Sequence, residues 1–209
     1  MIEQAGKRRG RPKGSKSSSP ATGIQALDRG IDVLEALAAH DGITLTELSA
    51  HLGQSSATMY RVLATLEQRR YVETSPERQE WFVGPEAFRL GSAFVRRTNI
   101  VERSRSIMRE LMSNTGETSN LGIEREGHVL FVSQVESHET IRAYFPPGAR
   151  SPLHASGIGK ALLSAFDEER LEAFIKATNF TRFTDKTIAT VGRLREEMQA
   201  TRQRGYSFD

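Results

Sequence analysis

A chain of 209 residues has room for one large domain or two small ones, each with a core of its own. Its composition, 37% apolar and 26% charged without a single cysteine, excludes a disulfide scaffold, thiolate metal sites and a cysteine nucleophile, and suits a reducing cytoplasm. The net charge of +3 is unevenly spread: residues 1–20 hold six basic side chains against one acidic, residues 21–93 six against ten, and residues 94–209 seventeen against fifteen.

Residues 1–22 are rich in glycine, proline and serine, with Ile2 the only large aliphatic residue besides Met1, so they read as a disordered basic arm. Within it Arg9-Gly10-Arg11-Pro12 resembles the core of an AT-hook. In that motif an extended segment lays two arginines, here Arg9 and Arg11, along the narrow minor groove of A·T-rich DNA. A solubilising tail is the alternative. No apolar run approaches the roughly 18 residues of a membrane span, and the basic start leads into serines, so neither a membrane partner nor a signal peptide is expected.

Residues 23–84 read as three helices and a hairpin. Leu27, Gly30, Ile31, Leu34, Leu37 and Ala38 share one helical face that ends before Asp41-Gly42. Thr44 and Glu47 have capping-box spacing ahead of Leu45, Leu48 and Leu52, and Gly53 stops that short helix. Gln54 and Ser55 offer the next cap, with Met59, Val62, Leu63 and Leu66 as the following stripe. Two helices joined by a glycine-containing turn make a helix-turn-helix, whose second helix can enter the major groove of DNA. With Met59, Val62 and Leu66 inward, Ser55, Ser56, Thr58, Tyr60 and Arg61 form the outward surface; a small bundle with a solvated polar face is the competing reading. The runs 71–74 and 79–83, around Ser75-Pro76-Glu77-Arg78, add a β-hairpin and so a winged helix, with Arg78 at its tip and Trp81 in the core.

Residues 85–116 predict a linker helix in two parts, starting at Pro85, broken near Thr98-Asn99 and ending at Asn114-Thr115-Gly116. One apolar side too far from either core suggests contact with a second copy. Residues 117–209 alternate strand candidates, 121–123, 129–135 and 141–145, with helical stretches 157–166, 168–178 and 191–204, before Tyr206-Ser207-Phe208 opens as a further strand. The expected class is α+β: a winged helix-turn-helix, a linker helix and an α/β unit.

The segment 152–160 places small residues and glycines at the opening of a helix, where backbone N–H groups favour an anion such as a small carboxylate. It is not a Walker A loop, because His154 and Ala161 stand where that motif needs glycine and Ser/Thr. Ser156 reads as a helix cap rather than a nucleophile served by His154, and His40, His51, His128 and His138 have no metal-ligand spacing. No catalytic constellation is present, and neither cofactor nor metal is expected. The rival reading is a small-molecule-binding enzyme whose helical unit serves only for assembly.

Taken in order, Ala26-Leu27-Asp28-Arg29-Gly30, Ser56-Ala57-Thr58-Met59-Tyr60-Arg61-Val62-Leu63, the segment Leu153 to Ala161 and Arg204-Gly205-Tyr206-Ser207-Phe208-Asp209 are similar to signatures of the IclR family of bacterial transcription regulators, over residues 24–209. The resemblance implies a winged helix-turn-helix joined through a linker helix to a GAF-like effector domain, acting as a dimer or dimer of dimers on palindromic double-stranded operators. It implies a small organic acid effector, glyoxylate- or pyruvate-like or aromatic. Gly157 and Ile158 would offer amides to the acid, with Asp209 at its polar end and Ala143, Ser151 and Ser156 around it. Family members continue beyond the equivalent of Asp209, so an effector domain truncated at this residue is expected.

Overall fold

The apolar repeat beginning at Leu27 forms helix α1, Gln25–Ala38, which buries Val33, Ala36 and Leu37. The structure is a computed structural model and describes residues 23–137 and 145–209. Arg9, Arg11 and the rest of the basic arm lie outside the described residues, as do Ala143 and most of the strand expected at 141–145. Among the described residues no helix is long and apolar enough to cross a membrane. The chain divides into two compact units between Gly91 and Ser92.

In the first unit the capping box closes as the spacing requires. The Glu47 amide donates to Thr44 Oγ1 at 3.3 Å, and the Thr44 amide donates to the Glu47 carboxylate at 3.0 Å, which starts α2, Leu45–His51. Ser55 caps α3, Ser56–Gln68, by accepting from the Thr58 amide at 3.2 Å. Strands β1 (Ile43–Thr44), β2 (Val72–Ser75) and β3 (Glu80–Val83) form an antiparallel sheet in the order β1-β3-β2. Strand β1 is a two-residue pairing of Ile43 with Trp81 and Thr44 with Glu80, too short to leave a periodic signal in the sequence. Trp81 is buried beside Val33, Leu37, Leu48, Met59, Leu63 and Val72.

One expectation needs correction. Val62 and Leu66 are half-buried rather than interior; the inward line of α3 runs through Met59 and Leu63, one turn apart, and places the other two on its flank.

The Thr44 amide and hydroxyl hold the Glu47 carboxyl below the ordinary carboxylate range. A carboxyl depressed on folding adds stability above its unfolded value, near 4.3, and loses it as pH falls through the lower folded value. The difference in melting temperature between the wild type and Glu47→Gln should therefore be constant near neutrality and shrink below about pH 4. A difference that does not change with pH would show that the carboxylate charge has no part in the cap.

Beyond the wing run α4, Pro85–Thr98, and α5, Ile100–Thr115, separated by Asn99 in the left-handed region at φ 50° and closed by Gly116. In the second unit α5 packs on β4 (Ser119–Arg125) and β5 (His128–Val135). Glu126 and Gly127, both left-handed at φ 51° and 76°, give these strands the tight turn whose twist suits a hairpin. The third strand, β6, is Arg150–Pro152, pairing with β5 to give the order β4-β5-β6. A 3-10 turn at Leu153–Ala155 then leads into α6 (Gly157–Ser164), α7 (Glu168–Ala177) and α8 (Val191–Arg204).

Val129, Phe131, Leu153, Leu163, Phe174, Leu194 and Met198 build this unit's core. Arg202 crosses from α8 to donate to the carbonyls of Ser164 at 2.6 Å and Phe166 at 3.1 Å, satisfying acceptors at the end of α6. The segment Tyr206-Ser207-Phe208 is irregular, not the strand its aromatic residues suggest, since no neighbouring strand lies beside it among the described residues.

Candidate functional site

In the first unit the residues expected to meet DNA lie on α3 and the wing, with Thr58 and Arg61 beside α1 and Tyr60 and Arg78 in a separate cleft. Ser55, Ser56, Tyr60 and Arg61 are exposed at and after the start of α3, and Arg61 makes no ion pair among the described residues. Thr58 is half-buried, its hydroxyl 2.9 Å from that of Ser55, so part of its capacity is used in the cap. Arg78 projects from the turn with its guanidinium 4.0 Å from Glu80. Tyr60 and Arg78 line one cleft of about 540 Å³ together with Thr44, Thr46, Thr74 and Gln79. The sequence reading did not place Thr46 and Gln79 beside Tyr60 and Arg78, and took Thr44 for a cap alone. The alternation of Thr44 and Thr46 around Leu45 carried the signal.

In the second unit the structure brings some of the expected effector residues together and separates others. Ser156 caps α6: its hydroxyl accepts from the Gly159 amide at 3.1 Å and donates to the Pro152 carbonyl at 3.2 Å, so its proton is committed. Gly157 lies against Asp209; a Cβ on Gly157 would stand 3.7 Å from that of Asp209. Ser207 Oγ donates to the Gly157 carbonyl at 2.5 Å and pins the segment there. Ile158 directs its side chain to the core, against Gly122 on β4, which leaves its main chain as the part available to a ligand. Ser151 sits half-buried on β6 opposite Val129. His154, 2% exposed, contacts the Thr181 carbonyl through Nε2 at 3.0 Å and has its ring edge on Phe180, so it does not serve Ser156.

The residue missed in the sequence is Lys160. It is 8% exposed, with Nζ 3.4 Å from Asp209 Oδ1, and the two line a cleft of about 330 Å³ with His154, Thr184, Lys186 and Thr187. Close by, Glu197 binds Arg204 at 2.6 Å. Burial pulls the Glu197 carboxyl upward, but hydrogen bonds from Arg204 and Thr201 and the charges of Arg204 and Lys160 outweigh it and leave it below its ordinary value. A lysine in a Gly-x-Gly-Lys helix start reads as surface, and nothing in its spacing marks it as buried.

A winged-helix unit followed by a unit with ligand-sized clefts is the layout of a ligand-responsive transcription regulator. Residues 26–76 match the IclR helix-turn-helix domain, and residues 92–209 match the family of the bacterial transcriptional regulator IclR C-terminal domain. The chain belongs to the IclR family of transcriptional regulators and is a DNA-binding regulator of transcription. It is 48% identical to the HTH-type transcriptional regulator BhcR of Paracoccus denitrificans, over 97% of this chain and 74% of that protein. It is 35% identical to the acetate operon repressor of Salmonella typhimurium, over 100% of this chain and 77% of that protein. Its fold matches an IclR homolog from Microbacterium hydrocarbonoxydans, crystallised with 4-hydroxybenzoate, at a TM-score of 0.74 and 21% identity over 86% of this chain and 75% of that one. These relatives are regulators, so the rival enzyme reading falls.

Proposed function

We propose that this regulator binds its operator through Ser55, Ser56, Thr58, Tyr60, Arg61 and Arg78, and that a small organic acid bound in the second unit changes operator affinity. Arg9 and Arg11 in the basic arm add attraction to the minor groove and to phosphates. The observation that carries the ligand reading is the meeting of Gly157 and Asp209 at the Ser156-capped start of α6, where amides favour a carboxylate and Asp209 offers an acceptor to the ligand's polar end. Ser151 on β6 serves as a wall. The class of acid is glyoxylate- or pyruvate-like or aromatic, in keeping with the 4-hydroxybenzoate of the Microbacterium relative.

Apolar side chains left on the outside of three helices support contact with a second copy, and two copies suit a palindromic operator as a dimer or a dimer of dimers. Ile24, Leu27 and Ile31 are exposed at α1, Phe88 and Leu90 on α4, and Ile107 and Leu111 on α5. A cytoplasmic location follows from the work of binding chromosomal DNA.

The experiment is fluorescence anisotropy of the full chain on operator DNA recovered by in-vitro selection, with and without glyoxylate, pyruvate and 4-hydroxybenzoate. One acid should shift the operator dissociation constant fivefold or more, a coupling of about 1 kcal/mol or above. Curves that superimpose for all three overturn the small-acid reading and leave DNA recognition standing.

A further inference from the structure

Lys160 needs an explanation that helix formation does not supply. An ammonium on the first turn of α6 could reach solvent, yet this one is 8% exposed, and an unpaired cation is strongly disfavoured away from water. Its partner is Asp209, whose own side chain is 65% exposed and lies against Gly157. Behind the pair stands Glu197 with Arg204, whose guanidinium also lies 5.6 Å from the centre of the Tyr206 ring and 5.2 Å from that of Phe208. The side chains of Lys160, Asp209, Glu197 and Arg204 balance one another, and Lys186 adds a further cation on the far side of the cleft. Removing Lys160 would leave Asp209, beside the α6 amides, without the counter-charge that touches it.

We propose that Lys160 determines the preference of the effector site for acids, by cancelling the charge of Asp209 so that a ligand carboxylate at the Gly157 and Ile158 amides meets a neutral wall. This rests on the effector site proposed above. The physical need is plain: Asp209 gives the ligand a hydrogen-bond acceptor, but an uncompensated carboxylate within a few ångströms of another repels it in a partly dry cleft. An uncharged ligand would not feel that repulsion. Lys160 is therefore a specificity-determining residue that acts through Asp209, without touching the ligand.

The test is isothermal titration of the full chain with two pairs of probes, pyruvate against 2-oxopropanamide and 4-hydroxybenzoate against 4-hydroxybenzamide. Lys160→Met keeps the length of the side chain and removes its charge. It should weaken binding of the acid roughly ten- to hundredfold, while the amide changes by less than about threefold. Lys160→Arg should keep the acid preference, and Lys160→Met combined with Asp209→Asn should recover most of it, because charge balance is restored.

Asp209→Asn alone, which leaves Lys160 without its carboxylate and is therefore checked for folding by circular dichroism, should raise the preference for the acid. Equal losses for acid and amide in Lys160→Met, or a preference that ignores both single changes, overturn the proposal. If the wild type binds no acid at all, the effector site itself falls and takes this role with it. If it binds acids with a preference that Lys160 does not influence, the site stands and only this role is lost.

Discussion

Gly159→Ala should destabilise the second unit by about 3 kcal/mol or more, lowering its melting temperature on the order of 10 °C, whereas Gly157→Ala should change it by less than about 1 kcal/mol. A Cβ on Gly159 would stand 2.2 Å from the Leu153 carbonyl oxygen and 2.5 Å from the Leu153 Cα, main-chain atoms that no rotamer change can move aside. A Cβ on Gly157 would meet atoms of Phe208 and Asp209 at 3.7 to 3.9 Å, ordinary contact distances. The two glycines of Gly157-Ile158-Gly159 thus do different work. Gly159 lets the 3-10 turn fold back on α6, and in the effector site proposed above Gly157 keeps the approach to its amide open. Thermal unfolding followed by circular dichroism separates them, and equal losses for both variants would refute the distinction. Titration should show the opposite order, with acid binding lost in a well-folded Gly157→Ala.

Arg61→Ala should weaken specific operator binding by about 1–3 kcal/mol, roughly five- to 150-fold, and leave binding to random-sequence DNA nearly unchanged. Arg61 is exposed on α3 and has no competing carboxylate partner among the described residues, so its fork of donors is free for a base edge. Arg61→Lys keeps the charge and loses the two-pronged geometry, and should behave nearly like the alanine variant at the operator. Removal of residues 1–22 should give the complementary result. Operator preference over random DNA would survive, while the salt dependence of binding would flatten, by up to about five units of slope if all six basic residues meet phosphates. Competition binding across a salt series reads both quantities. If Arg61→Ala lowers operator and random-sequence affinity equally, the residue contacts only the backbone of the duplex.

The first unit was legible in the sequence because its signals are local. The Thr44 and Glu47 box, the Ser55 cap and the stripe through Met59 and Leu63 are contained within a turn or two, and the hairpin turn carries its own residues. What escaped was settled by partners far along the chain. Strand β1 exists because Trp81 pairs with Ile43, and β6 because Val129 pairs with Ser151. Tyr206 and Phe208 have strand-forming side chains but end up irregular, for a strand needs an edge to join. In the candidate site the amide-presenting start of α6 was readable from Ser156, Gly157 and Gly159. The ion pair beside it was not, since Lys160 meets Asp209, 49 positions later.

Those distant ties also bear on how the molecule is made. Helix α6 is eight residues long, well short of what an isolated helix sustains in water. Both its ends are fastened late: the C-terminal carbonyls by Arg202, 38 and 36 residues downstream, and the N-terminal turn by Ser207 and Asp209, 50 and 49 residues downstream. A chain emerging from the ribosome that has reached α7 holds the glycine-rich segment in full and still has no cradle to present. Closing such long loops is the slow part of folding. A newborn regulator can therefore complete its winged helix, and reach DNA, before it is able to answer a ligand.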